Sequence, residues 1–367
     1  MSLIKIIVII YIKYITSLLL HKTKHLCCLP KDKKLLSYKL YMCSTPILLL
    51  PGFGGSVLQH KDKIIYPPTI TDIIFNREEW INIMMVNNNV IKDEYTYNNE
   101  IKTLPLGNKK ALELITNIPF FDKKNIYKKL INENTNIYPI PYDFRIIHIP
   151  EYIDKLFEEL TIYIESFNTK ISLLTHSSGG IIAHFFLTTK TTEWKKKHIK
   201  EIVYINVPFC GLTMPLIEIT ENTYINRILS RDLLKSFGGI ILNLPNKKYI
   251  KPVLLVNGIE QNYIKYFNLT DIEKIIKKNE NFKISFNVPN NVSTKIIYTS
   301  VKKTPAIINI KNNKCNIILG KGDGVVLLES ILHPTIWKQQ IEYIHIPLYE
   351  HSNILYSKEL ENIIKNL

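Results

Sequence analysis

The strongest constraint on the fold is an apolar segment that ends in a glycine-rich turn and continues directly into a second apolar segment. Ile171 to Leu174 is followed by Thr175-His-Ser-Ser-Gly-Gly180, and then by the apolar stretch from Ile181 to Leu187. A short apolar run bounded by turn residues is typical of a buried strand, and the longer run is typical of a helix packed on it. We therefore predict a strand that turns sharply into a helix, with Ser177 in the turn.

Other segments extend this pattern into a sheet. Pro46 to Leu50 runs into the loop Pro51-Gly-Phe-Gly-Gly-Ser56, which predicts another buried strand and a tight loop. Residues 150–167 carry apolar side chains at helical spacing, and the same criteria predict strands at 202–207, 295–299 and 341–347 and a final helix at 357–367. Alternating strands and helices predict an α/β protein, with a mostly parallel sheet and helices on both faces.

Two long regions do not follow this alternation. Residues 57 to about 100 and 212 to about 290 mix short patterns with Asn- and Lys-rich stretches. Long insertions of this kind commonly form lids or binding caps. We therefore expect one domain over residues 44–365, with a lid-like insertion at about 57–100 and a cap insertion at about 212–290.

The turn at Ser177 is similar to a nucleophile elbow, the strained strand-to-helix turn that exposes a catalytic serine. The usual motif is G-x-S-x-G, whereas the chain has Thr175-His-Ser-Ser-Gly179, so that Thr175 replaces a glycine and could crowd the turn. Ser178 is an alternative nucleophile, and a plain turn without chemistry is a further interpretation. The sequence frame and the apolar flanks favour Ser177.

An acid and a base are expected after this nucleophile, in the order serine, aspartate, histidine. Asp323 lies between two glycines, and His351 follows the last predicted strand. Asp323 and His351 are therefore the predicted acid and base of a catalytic triad with Ser177. His176 and His184 are competing bases, but the first should point away from Ser177 and the second belongs to the following helix.

Such a site also needs donors for the oxyanion, which come from the backbone N–H after the nucleophile and from a loop after an earlier strand. These donors are predicted to be Ser178 and Phe53. A phosphate-binding loop is an alternative for residues 51–56, but the spacing matches neither G-x-G-x-x-G nor the P-loop; a plain turn also stays open. Nucleophile, acid, base and oxyanion donors in this order predict an α/β-hydrolase fold.

The composition limits the classes of partner. Lys and Arg number 47 against 32 Asp and Glu, for a formal net charge of +15, but the lysines are dispersed along the chain. A dispersed charge favours adhesion to an anionic membrane surface over a nucleic-acid site. The five cysteines form no CxxC or metal-spaced cluster, so no metal is predicted. Cys43 and Cys315 would pair only if the fold brings them close.

Residues 1–28 resemble a targeting segment. An apolar run interrupted by Lys13 precedes a basic stretch, which predicts a signal peptide or a retained membrane anchor, with an unstructured leader as the remaining alternative. Glycosylation sequons at Asn268 and Asn291 are compatible with secretion. The expected location is outside the cell, in the secretory pathway, or at a membrane.

Seven short blocks resemble the lecithin:cholesterol acyltransferase family, which includes lysosomal phospholipase and phospholipid:diacylglycerol acyltransferase. The resemblance covers roughly residues 44 to 360. The blocks are Pro51-Gly-Phe-Gly-Gly-Ser56, Ala111-Leu-Glu-Leu114, Pro141-Tyr-Asp-Phe-Arg145, Thr175-His-Ser-Ser-Gly-Gly180, Asn206-Val-Pro-Phe-Cys-Gly211, Gly322-Asp-Gly-Val-Val326 and Glu350-His-Ser-Asn-Ile-Leu355.

By this resemblance the substrate is an sn-glycerophospholipid, whose acyl chain moves to Ser177 and then to water or to an alcohol such as a sterol. No cofactor and no calcium are implied, and the partners are phospholipid and a membrane surface, not nucleic acid. Asp143 and Arg145 are expected to form a structural ion pair or an interior hydrogen-bonding group, not to take part in the chemistry. Trp80 resembles a lid tryptophan and is expected to contact lipid, with core packing as the alternative. The lid disulfide of mammalian members is absent, since residues 44–209 contain no cysteine.

Three functions are consistent with these features. The first is a phospholipase and O-acyltransferase that works at a membrane surface through an acyl-enzyme. The second is a catalytically impaired hydrolase fold that binds lipid, which Thr175 and the missing lid disulfide motivate. The third is a hydrolase of small esters.

Overall fold

The computed structural model describes residues 45–89, 94–114, 126–134, 136–221, 229–246, 249, 252–280 and 285–367. The predicted signal peptide or anchor at 1–28 lies outside the described residues, as does Cys43, so neither that segment nor a pairing with Cys315 is tested. Within the described ranges, no helix combines the length and the apolar character that a membrane span requires.

Short strands and helices alternate along the described chain. The strands are β1 (Ile47–Leu50), β2 (Leu58–His60), β3 (Lys63–Tyr66), β4 (Val86–Asn89), β5 (Glu94–Tyr97), β6 (Ile101–Thr103), β7 (Ile137–Pro139), β8 (Ile171–His176), β9 (Ile199–Ile205), β10 (Leu254–Val256), β11 (Ile259–Glu260), β12 (Thr294–Tyr298), β13 (Lys302–Lys311), β14 (Lys314–Gly322) and β15 (Ile341–His345). The helices are α1 (Ile70–Ile74), α2 (Arg77–Met84), α3 (Lys128–Glu133), α4 (Pro150–Glu165), α5 (Ser178–Thr188), α6 (Thr192–His198), α7 (Met214–Thr220), α8 (Arg231–Ser236), α9 (Gly238–Leu242), α10 (Tyr263–Tyr266), α11 (Thr270–Lys278), α12 (Leu328–Ile331) and α13 (Lys358–Lys365), with 3₁₀ turns at Lys109–Leu112, His333–Ile336 and Asn353–Tyr356.

Among the described residues, six strands form a parallel sheet in the order β15-β12-β9-β8-β1-β7. The strands predicted near 46–50, 171–174, 202–207, 295–299 and 341–347 are all present in it, which confirms those predictions. In the pairing of β1 with β8, Leu50 lies opposite Thr175, so the loop after β1 and the turn after β8 meet at one edge of the sheet. Ligand and catalytic sites of open α/β sheets lie at this carboxyl edge.

The apolar side chains of the sheet alternate between two cores, as the twofold repeat of a strand requires. Leu48 and Leu173 face the core that contains the buried faces of α4 and α5. Leu49 and Leu174 face the opposite core, which contains residues of α3 and α13. Both faces of the sheet are therefore covered, and the predicted parallel α/β architecture with helices on both sides is confirmed.

Two features of the sheets were not predicted. β7 was missed because it is only three residues long and ends in a proline, which is tolerated at the edge position that this strand occupies. The long hairpin of β13 and β14 was missed because Asn and Lys interrupt its apolar alternation. Its turn at Asn312 and Asn313, both with positive φ, was the local signal for it.

The two irregular regions have structure of their own. Residues 57–100 contain β2, β3, the helices α1 and α2 and the hairpin of β4 and β5, and β2 and β3 form an antiparallel sheet with β6, which begins at Ile101. The region 212–290 contains α7 to α11 and the strands β10 and β11. Their predicted roles as a lid and a cap stay predictions.

Candidate active site

Ser177 occupies a strained turn between β8 and α5. Its φ and ψ are 51° and −131°, a conformation that non-glycine residues rarely adopt and that is kept where the surroundings enforce it. The Ser177 N–H donates to the Ile205 carbonyl on β9 at 2.9 Å. A side chain at Gly179 would place its Cβ 2.4 Å from the Pro51 carbonyl oxygen, so glycine at this position lets β1 and α5 approach closely. The turn has the shape of a nucleophile elbow.

Thr175 fits the elbow without crowding it. Its side chain is fully buried, and its hydroxyl donates to the Val203 carbonyl on β9 at 3.0 Å. Room for it comes from Gly180, where an added Cβ would lie 3.1 Å from the Thr175 Oγ1 and 2.2 Å from a Val207 methyl carbon. The missing first glycine of the motif is therefore accommodated by glycine five residues later.

We expect Thr175→Ala to lower the free energy of unfolding by about 1–2 kcal/mol, because the Val203 carbonyl loses its side-chain donor in a buried place. The turnover rate on a soluble ester should change by less than about threefold, which corresponds to well under 1 kcal/mol of activation energy. Denaturant unfolding and steady-state kinetics check the two expectations. A much larger fall in turnover with unchanged unfolding would mean that Thr175 shapes the elbow itself.

The structure brings Ser177, His351 and Asp323 together. His351 Nε2 lies 3.0 Å from Ser177 Oγ, and His351 Nδ1 lies 2.7 Å from Asp323 Oδ2. Because a carboxylate accepts, the proton of the neutral imidazole sits on Nδ1, which leaves Nε2 free to accept from the serine hydroxyl. This is the geometry of a nucleophile, a base and an orienting acid.

Backbone contacts fix the acid. Asp323 is fully buried directly after β14, and its Oδ1 accepts from the N–H groups of Val325 and Val326 at 2.8 and 2.7 Å. The N–H of His351 donates to the Asp323 carbonyl at 2.9 Å. Gly322 and Gly324 permit this turn, since a Cβ on the first would meet the Val326 carbonyl and the second has φ 100°. The glycines that marked Asp323 in the sequence therefore have a physical role.

The competing candidates are engaged elsewhere. His176 contacts the Tyr127 hydroxyl and the His351 carbonyl, and burial lowers its pKa to about 3. His184 contacts the Tyr204 hydroxyl and the Ser285 carbonyl, and burial lowers its pKa to about 4. The Ser178 hydroxyl donates to Asn243 at 3.1 Å, not to an imidazole. Ser177 with His351 is thus the pair arranged for proton transfer.

The loop after β1 lies against the nucleophile. A Cβ added to Gly52 would be 3.0 Å from Ser177 Cβ and 3.5 Å from Ser177 Oγ. The loop is closed by a hydrogen bond from the Gly55 N–H to the Gly52 carbonyl at 3.0 Å, with Phe53 in the turn between them. Ser178 is the first residue of α5, where backbone N–H groups have no acceptor within the helix. Both predicted oxyanion donors therefore lie on segments that border Ser177.

An apolar pocket opens beside these two segments. Most of its lining is aliphatic or aromatic, and its lining residues are Phe53, Tyr142, Ile147, Ser178, Ile181, Ile182, Gly239, Leu242 and Asn243. Gly239 of α9 packs on the Phe53 ring so closely that a Cβ there would lie 2.4 Å from a ring carbon. This small apolar cleft borders the segments that carry the two predicted oxyanion donors.

Two further predictions have clear outcomes. Asp143 and Arg145 form a buried ion pair, with Nη2 2.6 Å from Oδ2, which confirms the expected pairing. Trp80 is only 4% exposed and its indole N–H donates to the Ile65 carbonyl at 2.8 Å. The expectation that Trp80 contacts lipid is therefore wrong for this conformation, since its ring packs in the core and its polar atom is already bonded there.

Sequence reasoning missed the residues that brace the site. Tyr127 accepts from the Gly52 N–H at 2.7 Å, and Asn206 donates to the His351 carbonyl at 3.1 Å. Asn243 links Ser178 to α9 by also donating to the Gly239 carbonyl at 2.6 Å. Asn206 lies in one of the family-like blocks, which was a usable signal; nothing in the local sequence marks Tyr127 or Asn243.

Comparison with known proteins connects this site to a family. A sequence model described as lecithin:cholesterol acyltransferase matches residues 122–254. The rat (Rattus norvegicus) lysosomal phospholipase A and acyltransferase is 23% identical over 223 residues, which are 55% of this chain and 54% of the rat protein. The chain thus spans about half the length of this curated relative.

Two solved structures resemble the chain in outline. The first is the Tle4–Tli4 complex, with a TM-score of 0.49, 12% identity and coverage of 88% of this chain and 98% of that one. The second is the mature Bacillus licheniformis lipase BlEst2, with a TM-score of 0.38, 10% identity and coverage of 88% of this chain and 91% of that one. The parallel sheet and the elbow described above identify the fold as an α/β-hydrolase fold. This fold, the matching segment and the sequence blocks around Ser177, Asp323 and His351 support a relationship of the chain to the lecithin:cholesterol acyltransferase family.

Proposed function

We propose that this protein is a serine-dependent enzyme that removes an acyl chain from a glycerophospholipid and transfers it to water or to an alcohol. The observation that carries the proposal is the hydrogen-bonded series Ser177 Oγ, His351 Nε2, His351 Nδ1 and Asp323 Oδ2, at 3.0 and 2.7 Å. Similarity to the lecithin:cholesterol acyltransferase family and to a lysosomal phospholipase A and acyltransferase supports the substrate class.

In the first half-reaction, Ser177 Oγ attacks the carbonyl carbon of the ester while His351 Nε2 takes its proton. Asp323 stabilises the imidazolium that forms. The N–H groups of Phe53 and Ser178 bind the oxyanion of the tetrahedral intermediate. The intermediate collapses as His351 returns the proton to the leaving alkoxide, which departs as lysophospholipid and leaves an ester on Ser177.

In the second half-reaction, His351 deprotonates the acceptor, which attacks the acyl-enzyme and releases Ser177. Water gives a fatty acid, and an alcohol such as a sterol gives a new ester. The apolar side chains next to Phe53 and Ser178 are proposed to contact the acyl chain close to the reacting ester.

The test uses liposomes that contain both a phospholipid and a sterol. We expect lysophospholipid to appear in step with the sum of fatty acid and sterol ester, and Ser177→Ala to release neither product. Tight binding to the liposomes without any lysophospholipid would instead support a lipid-binding module that has lost catalysis. Equal turnover of dispersed and aggregated esters would support a hydrolase of small esters.

Exposed apolar side chains in the region 57–100 are proposed to touch the membrane in place of Trp80. Phe75 is 79% exposed at the end of α1, and Ile74 and Ile64 in the same region are also exposed. Large apolar groups that protrude from a basic protein favour an anionic lipid surface. A secretory-pathway or membrane-associated location is proposed on the same grounds and on the similarity to a lysosomal phospholipase A and acyltransferase.

Phe75→Ser should weaken binding to anionic vesicles by roughly tenfold or more, since inserting a phenylalanine side chain is worth about 1.5–3 kcal/mol. Turnover of a soluble ester should stay unchanged. Ile162→Ser, at an exposed position of α4, is the matched control and should affect neither. Vesicle co-sedimentation and phospholipid turnover measure the effect, and unchanged vesicle binding of Phe75→Ser would remove this residue from the proposed contact.

A further inference from the structure

A buried histidine next to the nucleophile links two parts of the site. His176 is 2% exposed at the end of β8. Its Nδ1 lies 3.0 Å from the Tyr127 hydroxyl, and its Nε2 lies 3.2 Å from the His351 carbonyl oxygen. A carbonyl oxygen can only accept, so His176 carries its proton on Nε2, and Nδ1 accepts from the Tyr127 hydroxyl. Tyr127 in turn accepts from the Gly52 N–H at 2.7 Å.

The resulting chain of hydrogen bonds runs in one direction. The Gly52 N–H donates to Tyr127, Tyr127 donates to His176, and His176 donates to the backbone of the catalytic histidine. Burial lowers the pKa of His176 and raises that of Tyr127, so both stay neutral near neutral pH. Protonation of His176 would place a hydrogen on Nδ1, which could then no longer accept from the Tyr127 hydroxyl.

Each end of the chain lies at a group that the reaction uses. Gly52 precedes Phe53, the proposed oxyanion donor, and closes the turn that presents its N–H. His351 is the proposed base, and its carbonyl also accepts from Asn206 while its N–H donates to Asp323. Ser177 lies between Gly52 and His351, since its sequence neighbour His176 is in the middle of the series of hydrogen bonds.

We propose that His176 and Tyr127 are positioning residues that hold the oxyanion loop and His351 at fixed distances from Ser177. This inference rests on the proposed function. His176 is hydrogen-bonded to the Tyr127 hydroxyl and the His351 carbonyl, not to Ser177 Oγ or to the His351 ring nitrogens. The effect of His176 and Tyr127 is on the rate of the chemical step, because small displacements of preorganised donors weaken transition-state stabilisation more than they weaken substrate binding.

The protein contains a second tyrosine–histidine pair that serves as a matched control. The Tyr204 hydroxyl lies 3.0 Å from His184 Nδ1, and His184 Nε2 lies 2.9 Å from the Ser285 carbonyl. This second pair has the same arrangement of tyrosine, imidazole and carbonyl in an equally buried place, but it braces α5 against the segment at Ser285. A general effect of removing a buried tyrosine hydroxyl therefore appears in both Tyr127→Phe and Tyr204→Phe.

The experiment compares these two variants with the wild type on a soluble ester and with a fluorophosphonate probe. We expect Tyr127→Phe to lower kcat and the rate of probe labelling by about tenfold or more with little change in KM. Tyr204→Phe should lower the melting temperature to a similar extent and keep kcat within about twofold. Equal kcat values for the two variants would overturn the inference. A wild type that neither labels nor turns over would instead overturn the proposed function.

A second pair of variants tests His176 directly and carries the test if Tyr127→Phe does not accumulate as folded protein. His176→Gln keeps an amide that can accept from Tyr127 and donate to His351, whereas His176→Phe keeps the size but neither bond. We expect kcat of His176→Gln to be at least about fivefold higher than that of His176→Phe. The double variant His176→Phe/Tyr127→Phe should lose no more kcat than His176→Phe alone, because both substitutions interrupt the same series of hydrogen bonds. Equal kcat values for His176→Gln and His176→Phe would contradict the proposal.

Discussion

Ser177→Ala is expected to lower kcat for ester hydrolysis by roughly 10⁴-fold or more, because among the described residues no other hydroxyl is hydrogen-bonded to the imidazole of His351. The nearest alternative, Ser178, donates its hydroxyl to Asn243. The substitution removes one oxygen from a side chain that is only 8% exposed, so the melting temperature should change little. Steady-state kinetics on a soluble ester measure the effect.

Ser178→Ala is the matched control for this prediction. Its backbone N–H, the proposed oxyanion donor, remains, and only the hydrogen bond to Asn243 is lost. We expect kcat to fall by less than about tenfold. If Ser178→Ala were the more damaging of the two substitutions, the nucleophile would be misassigned.

Asp323→Asn should lower kcat by roughly 10³- to 10⁴-fold. The side-chain amide would face the Nδ1–H of His351 with its NH₂ group, which is a second donor, or with its oxygen, which is neutral and no longer stabilises the imidazolium. The Oδ1 contacts with the N–H groups of Val325 and Val326 can be kept by the amide oxygen, so the loop should stay folded. KM should stay near the wild-type value, because the change acts on the base and not on lipid binding.

Two observations check that the Asp323→Asn effect is catalytic. Circular dichroism and thermal unfolding should show native structure, and vesicle binding should be retained. Turnover of Asp323→Asn within tenfold of the wild type would mean that another group orients His351, and the assigned acid would be wrong.

The parallel sheet was predictable because strands buried on both faces are continuous apolar runs. The segments Ile47–Leu50 and Ile171–His176 have this character, and glycines end both at the carboxyl edge. β7 was not predictable, since a three-residue strand with a proline has no periodicity to detect. The β13–β14 hairpin was not predictable either, because Asn and Lys residues interrupt its apolar alternation. Asp323 directly follows β14, so this hairpin positions it in the site.

The three side chains of the proposed triad could be predicted because each lies in a turn with a distinctive composition. The residues that support them could not, since their role depends on contacts across the fold. Tyr127 meets His176 from 49 positions away in the chain, and the chemistry of a tyrosine in an Ile- and Lys-rich segment gives no hint of it. The prediction of a lipid contact for Trp80 was wrong for the opposite reason. Its residue type suggested such a contact, but its indole N–H and its ring have partners in the core.

The most direct test of the central claim identifies the residue that forms the covalent intermediate. The folded protein is treated with a fluorophosphonate probe, digested, and sequenced by mass spectrometry. We expect a single modified residue, Ser177, with labelling that slows by orders of magnitude in Asp323→Asn. A label on Ser178 or elsewhere, or no label on protein that releases lysophospholipid, would contradict it.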